Sequence, residues 1–264
     1  MAEAPLDISI KNPGMRDHWA ATLQAAILPT GTLRRAEGGM VRDLPGFDDG
    51  MWWVQDAAAA LPVNLLGNIE GKTVIDLCAA PGGKTAQMAA RGASVIALDR
   101  SAARLTRLGE NLRRLRLDKN IQMETADAAA WHPKDKAEFI LLDAPCTATG
   151  TIRRHPDVPY LKSEADVTRL GDVQQKLLDN ACEMLVPGGI LIYCTCSLLK
   201  DEGERQIEKL LARNSSIQRL PLSPAETGGI NGIINEQGDM RILPFHLAAQ
   251  GGMDGFFASR LQRL

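Results

Sequence analysis

From Thr73 to the end of the chain, short apolar runs alternate with longer amphipathic ones, the pattern of buried parallel strands separated by surface helices. Strands are predicted near 73–77, 94–98, 121–124, 138–142, 189–195 and 256–261. Helices are predicted near 84–91, 101–116, 164–185 and 201–213, where apolar residues recur every three or four positions. No repeat or low-complexity tract breaks the alternation. It predicts an α/β fold, a Rossmann-like doubly wound sheet with helices on both faces, whose ligands bind beyond the carboxyl ends of the strands.

The first 66 residues follow a different rhythm. Asp7-Ile8-Ser9-Ile10 alternates like a short strand, Asn12-Pro13-Gly14 reads as a turn, and Trp19, Leu23, Ile27 and Leu28 follow at helical spacing. After a segment punctuated by Gly and Pro, Trp52-Trp53 leads into an Ala-rich helix reaching about Leu66. Two units are therefore expected: a small α+β appendage with a linking helix over 1–66, and a main α/β domain over 67–264. The length of 264 residues, 45% of them hydrophobic, allows one large core and excludes three domains.

Charge narrows the partners. A net charge of −2 gives no global attraction to a polyanion, so nucleic-acid contacts must come from local clusters. Seven basic residues lie between Arg100 and Lys119, and a solvated helix face accounts for them. The appendage holds five basic and eight acidic residues and is no RNA anchor by charge. The five cysteines, Cys78, Cys146, Cys182, Cys194 and Cys196, form an odd set without a C-x-x-C pair, and the four histidines sit at no ligand-like spacing. A reducing, cytoplasmic setting with no structural metal and no membrane segment is expected. Cys182 and Cys194 read as core residues.

The first long-domain strand runs into Cys78-Ala79-Ala80-Pro81-Gly82-Gly83-Lys84-Thr85, a glycine-bearing turn that opens a helix. A phosphate-binding Walker A loop needs glycine where Cys78 stands, and the G-x-G-x-x-G fingerprint is absent, so ATP is disfavoured and NAD weakened. Asp99, Asp127 and Asp143 each close or follow a strand. Acids and backbone groups suit S-adenosylmethionine, which has a ribose, a cationic amino-acid end and no phosphate. Two cysteines reach the same strand edge, Cys146 in Asp143-Ala144-Pro145-Cys146 and Cys196 in Thr195-Cys196-Ser197. A thiolate adding to carbon 6 of cytosine breaks its aromaticity and makes carbon 5 nucleophilic toward a methyl donor. That chemistry needs a thiol, an acid near the ring nitrogen and a base, roles open to Cys196, Asp143 and Cys146. The chemistry alone leaves either cysteine as nucleophile.

These three motifs, with Leu44-Pro45-Gly46-Phe47, Val54-Gln55-Asp56, Ile152-Arg153-Arg154-His155-Pro156-Asp157 and Asp254-Gly255-Phe256-Phe257, resemble the Sun/RsmB family of RNA (cytosine-5) methyltransferases over nearly the whole chain. The resemblance implies that Cys78, Ala79, Ala80, Pro81, Gly82, Gly83 and Lys84, with Asp99, Arg104, Asp127 and Asp143, bind S-adenosylmethionine. It implies Cys196 as nucleophile and Cys146 for product release, whereas DNA cytosine-5 methyltransferases attack with the cysteine of their Pro-Cys motif. Arg153, Arg154 and His155 are expected on a loop over the cleft, holding phosphates or stacking on bases. The implied partner of a monomeric enzyme is RNA, 16S ribosomal RNA first and transfer RNA second; a DNA enzyme comes third. An idle RNA-binding or assembly factor is opposed by the two retained cysteines. Bacterial ribosomal members usually carry an all-helical RNA-binding domain ahead of the region matched, so the chain is expected to be a short member or a catalytic core.

Overall fold

The computed structural model describes residues 4–264, so the first three residues of the expected 1–66 appendage lie outside the described residues. The appendage is built on β1 (Leu6–Ile10), α1 (Arg16–Thr22), β2 (Ala26–Ile27), β3 (Leu33–Arg35) and β4 (Trp52–Val54), and its antiparallel sheet runs β2-β3-β1-β4. Ile8, Leu23, Leu33 and Trp52 form its small core. Trp52 and Trp53 are neighbours on one strand and point to opposite faces, as the period of two requires. Trp52 enters the appendage core and Trp53 the main one, so the tryptophan pair rivets the junction.

The linking helix α2 (Ala57–Asn64) packs into the main core, and the main unit follows as β5 (Thr73–Leu77), α3 (Gly83–Ala90), β6 (Ser94–Asp99), α4 (Ala102–Leu115), β7 (Ile121–Thr125) and β8 (Ala137–Asp143). Next come α5 (Val158–Leu161), α6 (Glu164–Met184), β9 (Leu185–Thr195), α7 (Glu204–Arg213), β10 (Ile217–Arg219), β11 (Met240–Ile242) and β12 (Phe256–Arg263). The sheet order is β10-β12-β9-β8-β5-β6-β7, with β11 paired to β12. Alternation along β5 sends Val74 to one face, against Leu61, Met88 and Leu105 of α2, α3 and α4, and Ile75 to the other, against Leu177 and Leu178 of α6. Each face thus buries an apolar helix stripe. Three helix starts are set by short polar side chains, Asp56 at α2, Ser101 at α4 and, most fully, Ser163 at α6, where it forms a reciprocal capping box with Asp166.

One expectation needs correcting. β5 to β9 pair in parallel, but β12 pairs antiparallel with β9, β10 and β11, and the two short strands β10 and β11 were not anticipated. An apolar run encodes burial and not direction. Here the chain between β10 and β12 travels to the carboxyl edge of the sheet, so β12 starts where β9 ends, with Phe257 opposite Thr195. That reversal delivers Asp254 and Gly255 to the edge that carries the cysteines. Among the described residues, no helix is long and apolar enough to cross a membrane.

Buried polar contacts fasten the appendage. Asp7 and Arg34 pair at 2.7 Å, the other Asp7 oxygen accepts from the Ala57 N–H at 2.9 Å, and Arg34 donates to the Gly252 carbonyl at 2.6 Å. Lys11 Nζ donates to the Leu115 carbonyl at 3.0 Å. Gly50 adopts φ +69°, and a Cβ there would stand 2.0 Å from the Arg114 carbonyl oxygen. Gly50→Ala is therefore expected to destabilise the protein by roughly 1–3 kcal/mol, read as a lower urea midpoint; an unchanged midpoint would show that the junction yields freely.

Candidate functional site

The loop after β5 opens the site. Cys78 takes φ +63° and Gly82 φ +102°, which turns the backbone sharply before α3 begins. Asp99, at the end of β6, is 2% exposed and holds this loop: it accepts from the Ala80 N–H at 3.3 Å and the Ser101 N–H at 2.9 Å. The exposed Arg104 pairs with Asp99 at 3.0 Å and donates to the Ala80 carbonyl. Asp127 is exposed after β7 and accepts from the Ala129 N–H at 3.0 Å. Lys84, nearly buried, reaches Asp143 at 2.7 Å. Burial, the largest single influence, would lower its ammonium, but the charge and hydrogen bond of Asp143 together with the Cys194 and Cys196 sulfurs outweigh it and hold the ammonium above its ordinary value.

A cavity of about 480 Å³ runs beside this loop, walled by Asp76, Gly83, Lys84, Asp143 and Arg154 on one side and by Phe47, Trp53 and Gln55 of the appendage side on the other. Asp99 and Asp127 lie outside its walls. Asp76 was missed as a site residue, although an acid inside the apolar run Val74-Ile75-Asp76-Leu77 is the signal that marks it. It is fully buried, one oxygen accepts from Thr85 Oγ1 at 2.5 Å, and the other has no partner. Burial pushes its carboxyl up to about 7, against the Thr85 hydrogen bond. A buried orphan acceptor beside a glycine turn fits a ligand with a donor or cationic end.

The cysteines meet at the next two strand ends. Cys146 Sγ and Cys196 Sγ stand 3.5 Å apart, both half-buried. The Cys146 loop turns through Ala148 at φ +58°, and Gly150 is wedged between two backbones, donating to the Cys196 carbonyl at 2.9 Å and accepting from the Gly255 N–H at 2.8 Å. A hydrogen bond from Cys146 lowers the Cys196 thiol below its ordinary value; Lys84 helps, against burial and the Asp143 and Asp254 carboxylates. The same contact, then burial and the Glu202 carboxylate, raise Cys146 well above its own. Their mutual hydrogen bond is the largest cause of both shifts; beside it Cys146 faces the Glu202 carboxylate, whereas Cys196 faces Lys84 as well as the Asp143 and Asp254 carboxylates. Cys182 and Cys194 are buried, as their apolar settings predicted.

Arg153, Arg154 and His155 do sit on the loop after Cys146, but two of them are tied down. Arg153 bonds Asp56 at 2.8 Å and Asp254 at 3.4 Å, and Arg154 bonds Asp254 at 2.5 Å. Arg153 is 14% exposed and Arg154 39%, while His155 is exposed. Asp56 is pushed up to about 6 by burial, then by Asp254 and Asp7. The sequence reading did not foresee this bracing, because its acids come from distant segments. In the basic stretch from Arg100 to Lys119, most side chains face solvent, whereas Arg114 stacks on Phe47 at 4.0 Å.

Comparison with known proteins adds a family and several relatives. The family described as 16S rRNA methyltransferase RsmB/F matches residues 63–262. The ribosomal RNA small subunit methyltransferase B of Cronobacter sakazakii is 40% identical over 224 residues, 84% of this chain and 49% of that protein. Its counterpart from Pseudomonas syringae pv. tomato is 38% identical over 260 residues, 94% of this chain and 57% of that protein. The chain thus spans about half the length of the curated relatives it matches. Among solved structures, PH0851 superposes with a TM-score of 0.88 at 26% identity, covering 100% of this chain and 60% of that one. NSun6 from Pyrococcus horikoshii, solved with the S-adenosylmethionine analogue SFG, gives a TM-score of 0.74 at 28% identity, covering 86% and 56%.

The thiol asymmetry is open to measurement. At neutral pH iodoacetamide is expected to alkylate Cys196 before Cys146, because only the thiolate reacts. Cys146→Ala removes the donor that lowers Cys196, so its alkylation profile moves to higher pH, whereas Cys146→Ser keeps a donor and moves it less. Equal labelling of both cysteines by peptide mapping would contradict the assignment.

Proposed function

The chain belongs to the RsmB/F family of 16S rRNA methyltransferases, an S-adenosylmethionine-dependent family, and from that premise we propose that it methylates carbon 5 of a cytosine in RNA, 16S ribosomal RNA first, through a covalent cysteine adduct. The observation that carries this reading is the thiol pair: two cysteines from separate strand ends, 3.5 Å apart, with opposite shifts. A purely structural pair has no need of a lowered thiol beside a buried lysine. The same reading treats residues 1–66 as an appendage and 67–264 as the catalytic unit.

The residues present fit the cofactor. The ligand is cationic at sulfur and ammonium, and Asp76 offers an orphan buried oxygen beside the glycine turn, with Asp143 next to it. The segment Cys78–Lys84, Asp99, Arg104, Asp127 and Asp143 would hold it, with Asp99 a partner for the ribose hydroxyls. When bound, S-adenosylmethionine supplies an electrophilic methyl group for carbon 5.

The chain's own residues do the rest. The Cys196 thiolate adds to carbon 6 of the cytosine, and negative charge spreads toward the ring nitrogen and carbon 5. Lys84 and Asp143, paired at 2.7 Å, form a polar wall where that nitrogen is stabilised, and Asp143 serves as the acid by passing on a proton drawn from the Lys84 ammonium. Once Cys196 is a thioether, Cys146 no longer donates to it; it gives its proton to solvent, removes the carbon 5 proton as the thiolate, and the Cys196 thiolate leaves, which restores the aromatic ring. A base held in a duplex must first leave its stack. Exposed His155 and half-exposed Arg154 are placed to meet the RNA, while Arg153 braces the loop.

Cys196→Ala is expected to lower methyl transfer by more than about 10³-fold. Cys146→Ser is expected to leave a protein-RNA adduct that survives denaturing electrophoresis. An adduct that needs Cys146 and persists without Cys196 would reverse the roles, and methyl transfer without either thiol would end the covalent mechanism. Bisulfite sequencing of RNA from cells lacking the protein identifies the target: one lost 5-methylcytosine in 16S ribosomal RNA is expected, loss in transfer RNA would move the substrate, and no loss would sink the RNA reading.

A further inference from the structure

The two cysteine loops bond directly where Gly150 donates to the Cys196 carbonyl at 2.9 Å and Thr149 Oγ1 accepts from the Leu198 N–H at 2.9 Å, and their sulfurs meet at 3.5 Å. The group lying between the loops is Glu202, in the short turn before α7, and it is fully buried. One carboxylate oxygen accepts from the Thr147 N–H at 2.9 Å and from Gln174 Nε2 at 3.2 Å. The other accepts from Thr147 Oγ1 at 2.5 Å and from Ser197 Oγ at 2.6 Å. Thr147 is the residue after Cys146, and Ser197 is the residue after Cys196. Gln174 also donates to the carbonyl of Pro145, on the other side of Cys146, at 2.9 Å. The Glu202 backbone is itself fixed to β9, its carbonyl accepting from Tyr193 Oη at 2.8 Å and Thr195 Oγ1 at 3.3 Å.

A buried carboxylate whose partners are neutral donors is costly to a fold unless its lone pairs are well used. Here four donors from three elements converge on it, and three of them come from the two residues that follow the thiols. We infer that Glu202 is a positioning residue that clamps the Cys146 and Cys196 loops together and so sets the distance between nucleophile and product-releasing thiol. Glutamine at this position keeps one acceptor oxygen for the Thr147 N–H and Gln174, but its amide is a donor toward the Thr147 and Ser197 hydroxyls, which must reverse to accept from it. The charged acceptor that both loops share is then lost.

The inference rests on the proposed roles of the two cysteines, and its test has an arm that does not. Dibromobimane bridges thiols only when both lie within a few ångströms. In the native chain, without RNA or cofactor, it is expected to join Cys146 to Cys196, seen as one crosslinked peptide pair. Glu202→Gln is expected to slow this bridging about tenfold. In steady-state methylation the same variant is expected to lose about 100-fold in kcat while KM for S-adenosylmethionine stays within about twofold, a split that general loosening of the site would not produce. Native bridging rate and kcat in Glu202→Gln would overturn the inference. Should that variant fail to fold, Thr147→Val combined with Ser197→Ala removes one donor from each loop, and unchanged bridging there would overturn it equally. A native chain that bridges its thiols under Glu202 control but methylates no RNA would uphold the clamp and sink the proposed function.

Discussion

The parallel pairing of β8 with β9 is the constraint on which the site depends. Asp143 lies opposite Cys194 in that ladder, so both strands release their chains at one edge and in one register. Cys146 follows three residues after Asp143, and Cys196 two after Cys194. A slip of one residue would turn every side chain of one strand to the other face, burying a cysteine where a thiol is needed. The antiparallel entry of β12 beside β9 then brings Asp254 to the same edge, where it fixes Arg153 and Arg154.

Electrostatics gives this edge its chemistry. Asp76 and Asp143 line one cavity, with Asp99 close enough to act on Asp76, and mutual repulsion would resist that gathering without nearby cations. Lys84 answers Asp143, and Arg104 answers Asp99. Lys84 also acts on Cys196, so one buried cation serves both the acid wall and the thiolate. Removing a partner from such a buried pair leaves an uncompensated charge, which costs several kcal/mol by the usual measure.

Much of this was legible in the sequence because it is local. The strands ending at Leu77, Asp99, Asp143 and Thr195 come from apolar runs, and the helix at Glu164–Met184 from its amphipathic period. What was not legible is long-range. Strand direction at β12 is set by the route of the chain between β10 and β12, which no run of apolar residues records. The bracing of Arg153 by Asp56 and Asp254 joins positions 97 and 101 residues away. Glu202 is of the same kind: it sits in a charged stretch, Lys200-Asp201-Glu202-Gly203-Glu204, that reads as solvated surface, yet the turn folds its side chain fully inward. Asp76, by contrast, was readable, as an acid enclosed in a strand-forming apolar run.

The central claim is that Cys196, and not Cys146, attacks the base. RNA carrying 5-fluorocytosine at the target position tests it most directly, since fluorine leaves no carbon 5 proton to remove and the adduct cannot resolve. With S-adenosylmethionine present, digestion and mass spectrometry are expected to find the nucleotide on the peptide containing Cys196. The nucleotide on the peptide containing Cys146 would contradict the account.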